Sequence, residues 1–225
     1  MKYEIKESPF TILECQLENG ESINCQKGAM AWMSDDMEMK TKTGGVGGMF
    51  KKVISGESLF HNTYTCTGNT GLIAFGKTFP GAILDIDIAE TAIISQKSAY
   101  LASTPGVEMN ISFQKKIGAG FFGGEGFIMQ NYTGKGHVFL EIDGACVLKE
   151  LGAGEKMQLD TGNLAAMEAS VSFDIKMLKG VGNILGGGEG MFNTVLTGPG
   201  KVWLQTMPAV HFAETLVPLL SKIQS

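Results

Sequence analysis

Three Gly-Glu pairs recur at nearly constant spacing, and this recurrence constrains the fold more than any other feature of the chain. Glu57, Glu125 and Glu189 lie 68 and 64 residues apart, and each pair follows a glycine-rich apolar stretch. After each pair come an apolar segment, a turn containing two glycines and a second segment: GLIAF, GHVFLEI or GKVWLQT. Matched features in one order indicate an internal repeat. The sequence predicts three tandem units, about 1–70, 71–136 and 137–208.

The segments between these marks alternate apolar and polar residues with period two. Examples are MEMKTKT, ILDIDI, VEMNISF and VSFDIKM. Such alternation indicates β-strands with one buried face, and the 31 glycines indicate many turns. We therefore predict a single all-β domain over residues 1–208. Its three units should pack around a pseudo-threefold axis, because one unit alone would bury little core.

The tail after Pro208 has helical periodicity instead. Its apolar residues fall on one helical face: Phe212, Leu216, Leu219, Leu220 and Ile223. Residues 209–225 are predicted to form a short amphipathic helix, which Pro218 kinks or interrupts.

Composition narrows the classes of partner. The net charge of −5 argues against nucleic acid, whose phosphates require a basic surface. The chain contains neither a signal peptide nor an apolar run long enough to span a membrane, so we expect a cytoplasmic protein. Four cysteines without a C-x-x-C pair suggest reduced, buried thiols. A disulfide between Cys15 and Cys25 is a minor alternative.

Two motifs match nucleotide-binding patterns in letters but not in context. Residues 71–78 fit the phosphate-loop pattern, yet they align with the strand segments GHVFLEI and GKVWLQT. Residues 118–123 fit the dinucleotide pattern, with Asp143 twenty residues further on, but no βαβ unit surrounds them. We interpret the first as a strand and the second as a turn, and we predict no cofactor.

The histidines suggest no metal or catalytic site. His61, His137 and His211 have no second ligand at a zinc-binding spacing. No G-x-S-x-G elbow marks a nucleophile. We predict no metal site and no catalytic residue, and we interpret the three histidines as structural or surface residues.

Two sets of residues remain candidates for binding. The carboxylates of Glu57, Glu125 and Glu189 could meet near the axis and hold a cation or take up protons, or they could accept backbone N–H bonds at turns. The glycine-rich loops place apolar residues beside lysines, which suits a partner or membrane surface, although loop apolar residues also fold back into cores. These candidates are Met49, Phe50, Lys51, Lys52, Lys115, Lys116, Phe121, Phe122, Lys179, Ile184 and Leu185.

The same residues carry a family resemblance. Met39-Lys-Thr-Lys-Thr-Gly44, GESLF and the two later GGEG copies resemble the family of altered inheritance of mitochondria protein 24, over essentially residues 1–208. The resemblance implies the fold of the tryptophan RNA-binding attenuation protein-like superfamily, with tandem double-stranded β-helix-type sandwich units. Mitochondrial members are associated with inner-membrane organisation, but no presequence is present here, so that location does not carry over.

We therefore expect a non-enzymatic binding or scaffold protein that uses its glycine-rich loops. The partner is left open: an unknown protein, a membrane surface, or a second copy in a homo-oligomer. The alternative is a small-molecule or metal-binding enzyme of the double-stranded β-helix type, against which the scarcity of histidine argues.

Overall fold

The computed structural model describes residues 1–6, 10–41, 61–76, 79–115, 127–177 and 192–223. Within them the chain is almost entirely β, as predicted, with nineteen strands and one α-helix, α1 (Ala209–Ile223). No helix in this part of the chain is long and apolar enough to cross a membrane. Helix α1 confirms the predicted C-terminal helix, and it continues through Pro218 without a break.

After β1 (Lys2–Lys6) the strands follow in three groups of six. The first group is β2 (Ile12–Glu18), β3 (Ser22–Gln26), β4 (Met30–Met33), β5 (Met37–Thr41), β6 (His61–Cys66) and β7 (Thr70–Gly76). The second is β8 (Gly81–Asp87), β9 (Ile93–Gln96), β10 (Tyr100–Ser103), β11 (Val107–Lys115), β12 (Phe127–Gly134) and β13 (His137–Asp143). The third is β14 (Cys146–Leu151), β15 (Lys156–Asp160), β16 (Leu164–Glu168), β17 (Ser172–Met177), β18 (Phe192–Thr197) and β19 (Gly200–Gln205).

Each group pairs its strands in the same antiparallel order. In the first group, β7 lies between β2 and β4, and β6 lies between β3 and β5. In the second, β13 lies between β8 and β10, and β12 between β9 and β11. In the third, β19 lies between β14 and β16, and β18 between β15 and β17. Within every group, the six strands therefore form two sets of three paired strands.

A register shift occurs at the same place in all three groups. Where the third strand pairs with the sixth, the ladder skips one residue, as in a β-bulge: Ala31, Leu101 or Ala165. Counting from the bulge identifies positions that correspond to one another in the three groups. The first is Trp32, Ala102 and Ala166, and the second is Met33, Ser103 and Met167.

Strand pairing also joins one group to the next. β3 of the first group pairs with β10 of the second, and β9 of the second pairs with β16 of the third. The sheets consequently contain four, six, six and three strands, with β1 added beside β2. The corresponding pair of β15 with β4 is not formed among the described residues, where both strands lie at sheet edges. We call these two edges the seam.

The pairing groups start one strand later than the predicted units. They begin at Ile12, Gly81 and Cys146, because the sixth strand of each group returns to pair with the first. The pseudo-threefold axis and the double-stranded β-helix arrangement stay predictions. Most of the segment that fits the phosphate-loop pattern is a strand, as we interpreted it: Thr70–Gly76 is β7, which is paired on both sides. Residues 77 and 78, and the dinucleotide-like 118–123, lie outside the described residues.

Buried residues from alternate strand positions fill three apolar clusters, each drawing on two adjacent groups. Cys15, Cys25 and Cys66 are buried in the first cluster, and Cys146 is half-buried. All four thiols are free, so the alternative Cys15–Cys25 disulfide is not formed. Burial raises the pKa of Cys15 and of Cys25 to about 12, which leaves both protonated at neutral pH.

Candidate functional site

A cavity of about 750 Å³ lies where connections from all three groups converge. The links between second and third strands contribute residues 26–29, residues 96–100, and Gly162 with Ala165. The sixth strands contribute Gly76, Glu141 and Gln205, which hold matched ladder positions. The volume falls within the range of about 300–1,000 Å³ that is usual for small-molecule sites.

Two buried glutamines fix one wall of the cavity. The Gln96 amide Nε2 donates to the carbonyl oxygens of Thr161, at 3.2 Å, and Leu164, at 2.6 Å. The Gln205 Nε2 donates to the carbonyl of Gly162 at 2.7 Å, while its Oε1 accepts from the Asp143 backbone N–H at 3.1 Å. Buried amides need such partners. These bonds join the second group to the third, so this wall is structural.

The start of helix α1 lies at the cavity rim. Pro208, Ala209 and Val210 line the cavity, and the Ala209 N–H donates to Asp143 Oδ2 at 2.9 Å. That carboxylate satisfies one of the N–H groups that a helix leaves unpaired at its first turn. The Phe212 ring packs edge-on against Phe79, with ring centroids 5.2 Å apart. Further along the helix, Leu216 and Val217 are exposed.

The three glycine-rich segments link the fourth strand to the fifth in every group. They follow β5, β11 and β17 and precede β6, β12 and β18. His61 and Phe127, the first residues of β6 and β12, line the cavity. Asn193 of β18 pairs with Asp160, whose carboxylate accepts from the N–H of the cavity residue Gly162 at 2.9 Å. Two of the strands that follow the segments, β6 and β12, therefore begin at the cavity, and β18 pairs with a residue that is hydrogen-bonded to its wall.

Most candidate residues from the sequence fall within those segments. Lys115 is the last residue of β11. The others lie outside the described residues: Met49, Phe50, Lys51, Lys52, Lys116, Phe121, Phe122, Lys179, Ile184, Leu185, Glu57, Glu125 and Glu189.

The histidines occupy three separate places. His61 packs edge-on against Tyr100 in the cavity wall, with ring centroids 5.0 Å apart. His137 lies at the start of β13, and His211 Nε2 lies 3.5 Å from Asp160 Oδ1 on the first turn of α1. Across the described ranges, no three His, Cys, Asp or Glu side chains are placed to hold one metal ion.

Sequence reasoning missed a polar cluster of Tyr3, Asp85 and His137. The Tyr3 hydroxyl donates to Asp85 Oδ2 at 2.7 Å and lies 3.2 Å from His137 Nδ1, which in turn lies 2.8 Å from Asp85 Oδ1. Desolvation, followed by the hydrogen bond to Asp85, raises the pKa of Tyr3 to about 12. The phenol thus stays a donor at neutral pH, and the cluster fastens β1 to the second group. No local sequence pattern predicts this cluster, because its residues lie far apart along the chain.

A faint signal of the cavity was available in the sequence. Gln26-Lys-Gly-Ala and Gln96-Lys-Ser-Ala are near copies that end β3 and β9, and both line the cavity. The third group carries Asp160-Thr-Gly-Asn instead, so the pattern is complete only twice. Strand alternation and the Gly-Glu pairs lie outside these links, so neither pattern points to the cavity.

Known proteins resemble this chain along nearly its whole length. A relative from Streptococcus pyogenes serotype M6, described as uncharacterised, is 29% identical over 227 residues, covering 96% of this chain and 90% of its own. The crystal structure of a Streptococcus pyogenes protein, a structural genomics target, matches with a TM-score of 0.81 at 25% identity, covering 96% of this chain and 97% of that one. The family model described as mitochondrial biogenesis AIM24 matches residues 3–207. The chain belongs to the AIM24 family.

Proposed function

We propose that this chain is a non-enzymatic binding protein whose binding end is the one that carries the cavity. The observation that supports this is convergence: the start of α1 and the first residues of β6 and β12, which follow two of the glycine-rich segments, line one cavity. β18, which follows the third segment, pairs with Asp160, whose carboxylate accepts from the cavity residue Gly162. Two polar side chains of the wall serve structure, since Gln96 and Gln205 are engaged with backbone groups. Tyr3 is held protonated and is not among the residues that line the cavity.

We further propose that the three strand groups are copies of one double-stranded β-helix-type unit, as in the tryptophan RNA-binding attenuation protein-like superfamily. A pseudo-threefold axis would pass through the cavity. The shared pairing order, the shared bulge, and the lining of the cavity by Gly76, Glu141 and Gln205 support this arrangement. An axis through this end would bring Glu57, Glu125 and Glu189 to equivalent positions.

The proposed partner is an anionic membrane surface. The segments place Phe50, Phe121 and Phe122 beside lysines. Burying one such ring contributes about 1.5–3 kcal/mol, and each lysine near anionic lipid adds about 1 kcal/mol. Three segments attached to one end act together through effective concentration. The exposed Leu216 and Val217 of α1 add apolar surface on a helix that starts at the same rim.

Vesicle sedimentation tests the proposal. The native chain should bind vesicles of phosphatidylcholine with phosphatidylserine at low salt, more weakly as salt rises, and not vesicles of phosphatidylcholine alone. The triple variant Phe50→Ser, Phe121→Ser, Phe122→Ser should lose binding with its melting temperature nearly unchanged. Leu148→Ser removes an exposed apolar side chain of β14, away from the cavity, and should bind normally.

Two results would contradict it. If the native chain does not bind anionic vesicles, the membrane proposal is wrong and the partner is a protein. A large drop in the melting temperature of the triple variant means that the three rings belong to the core.

A further inference from the structure

The edge strand β4 has the composition of an interior strand. Its residues, MAWM, include no charge. Its counterparts β10 and β16 are buried, because β3 and β9 cover their outer edges. On β4, by contrast, Trp32 is 48% exposed and Met33 is 40% exposed. An apolar surface suited to a covered strand is thus left open.

The other edge strands of the four described sheets are protected. Charged side chains on an edge prevent pairing with foreign strands, and each of the other seven edges carries at least one. These exposed charges are Lys2 on β1, Glu38 on β5, Asp87 on β8, Glu108 on β11, Lys149 on β14, Lys156 on β15 and Asp174 on β17. Among these sheets β4 alone lacks that protection.

The chain's own β15 does not fit on β4 as β3 and β9 fit on their partners. At the closed junctions the matched position holds Ala102 or Ala166, and both are fully buried. At the seam it holds Trp32. An indole where the closed junctions pack a methyl group would overfill the contact. The open edge is therefore available to a different strand.

We propose that β4 docks against β4 of a second copy, antiparallel, across a twofold axis. Exposed Lys27 precedes the strand, and exposed Asp35 and Asp36 follow it. Antiparallel pairing about the middle of β4 brings the basic end of one copy to the acidic end of the other, twice. An isologous contact of this kind needs a self-complementary patch, and β4 with its flanks is one. The two four-stranded sheets become one sheet of eight strands, and the indoles cluster at its centre.

The test measures mass in solution by light scattering and sedimentation equilibrium. The native chain should be a dimer. Trp32→Lys should weaken the dimer at least about 100-fold, because it removes a central aromatic anchor and places two lysines in an apolar contact. Leu148→Lys is the matched control: Leu148 is 53% exposed on the edge strand β14, and its change should leave the dimer intact. Unchanged melting of Trp32→Lys at low concentration shows that the fold survives.

A charge exchange tests the antiparallel direction. Lys27→Glu should weaken the dimer by bringing glutamate to the acidic end of the other copy, and adding Asp36→Lys should restore it. A monomeric native chain, a dimer unaffected by Trp32→Lys, or a double variant no better than Lys27→Glu alone would each overturn the proposal.

Discussion

The junction between the second and third groups and the seam between the third and the first use matched strands, yet only the junction is closed. At the junction β9 pairs with β16, Ala166 is fully buried, and the Gln96 amide crosses to the third group. At the seam Trp32 replaces the alanine. Asp160 replaces the glutamine, and its carboxylate accepts from Gly162 within its own group. Both closed junctions thus share a small residue where the seam has an indole, and the junction of the second and third groups adds a bridging amide.

The largest expected effect comes from truncating one matched methionine on each side of this comparison. Met167 of β16 is fully buried, whereas Met33 of β4 is 40% exposed. Met167→Ala should lower the free energy of unfolding by about 2–5 kcal/mol, since it leaves a core cavity. Met33→Ala should cost less than about 1 kcal/mol. Urea unfolding at low protein concentration measures both, and equal losses would mean that the seam is closed in solution.

The next effect concerns the bridging amide. Gln96→Ala leaves the buried carbonyls of Thr161 and Leu164 without this donor, so we expect a loss of about 2–3 kcal/mol. Gln26 ends β3 as Gln96 ends β9, but it is half-buried. Gln26→Ala should cost less than about 1 kcal/mol. If the two variants unfold alike, the amide does not secure the junction.

The effect that is smallest at neutral pH is a pH dependence on the first-group side of the seam, which appears only in alkaline solution. Burial raises the pKa of Cys15 and Cys25 from 9.0 to about 12, so the folded state keeps protons that the unfolded chain loses. This stabilising contribution is complete below pH 9 and is lost as pH rises towards 12. Cys25→Ala should flatten the fall of stability over that window, as measured by unfolding at several pH values. An unchanged slope would assign the fall to other groups, such as Tyr3 with its raised pKa.

Much of the fold could be predicted from the sequence, because one-sided burial leaves a period of two. The first five residues of ILDIDI lie in strand β8, VEMNISF lies in strand β11, and the tail is helical. The alignment of Thr70–Gly76 with the strand segments of the other two units also showed that it is a strand and not a phosphate loop. These inferences depend on neighbours along the chain.

What the sequence did not reveal depends on neighbours across the sheets. MAWM, YLAS and LAAME are all mainly apolar third strands, and only the strand beside each decides which edge is open. The cavity unites Gln26, Gln96 and Gln205 from three groups, and the Tyr3 cluster spans more than a hundred residues. No local period encodes such contacts.

Pairing between groups always runs from the second strand of one group to the third strand of the next. During synthesis each emerging group therefore covers an edge left by the group before it. β4 belongs to the first of the three groups along the chain, and neither of the later groups covers it among the described residues. Its edge is therefore presented while the second and third groups are still being made, and neighbouring nascent chains on one messenger carry it side by side. If β4 joins two copies, they can meet before either chain is complete.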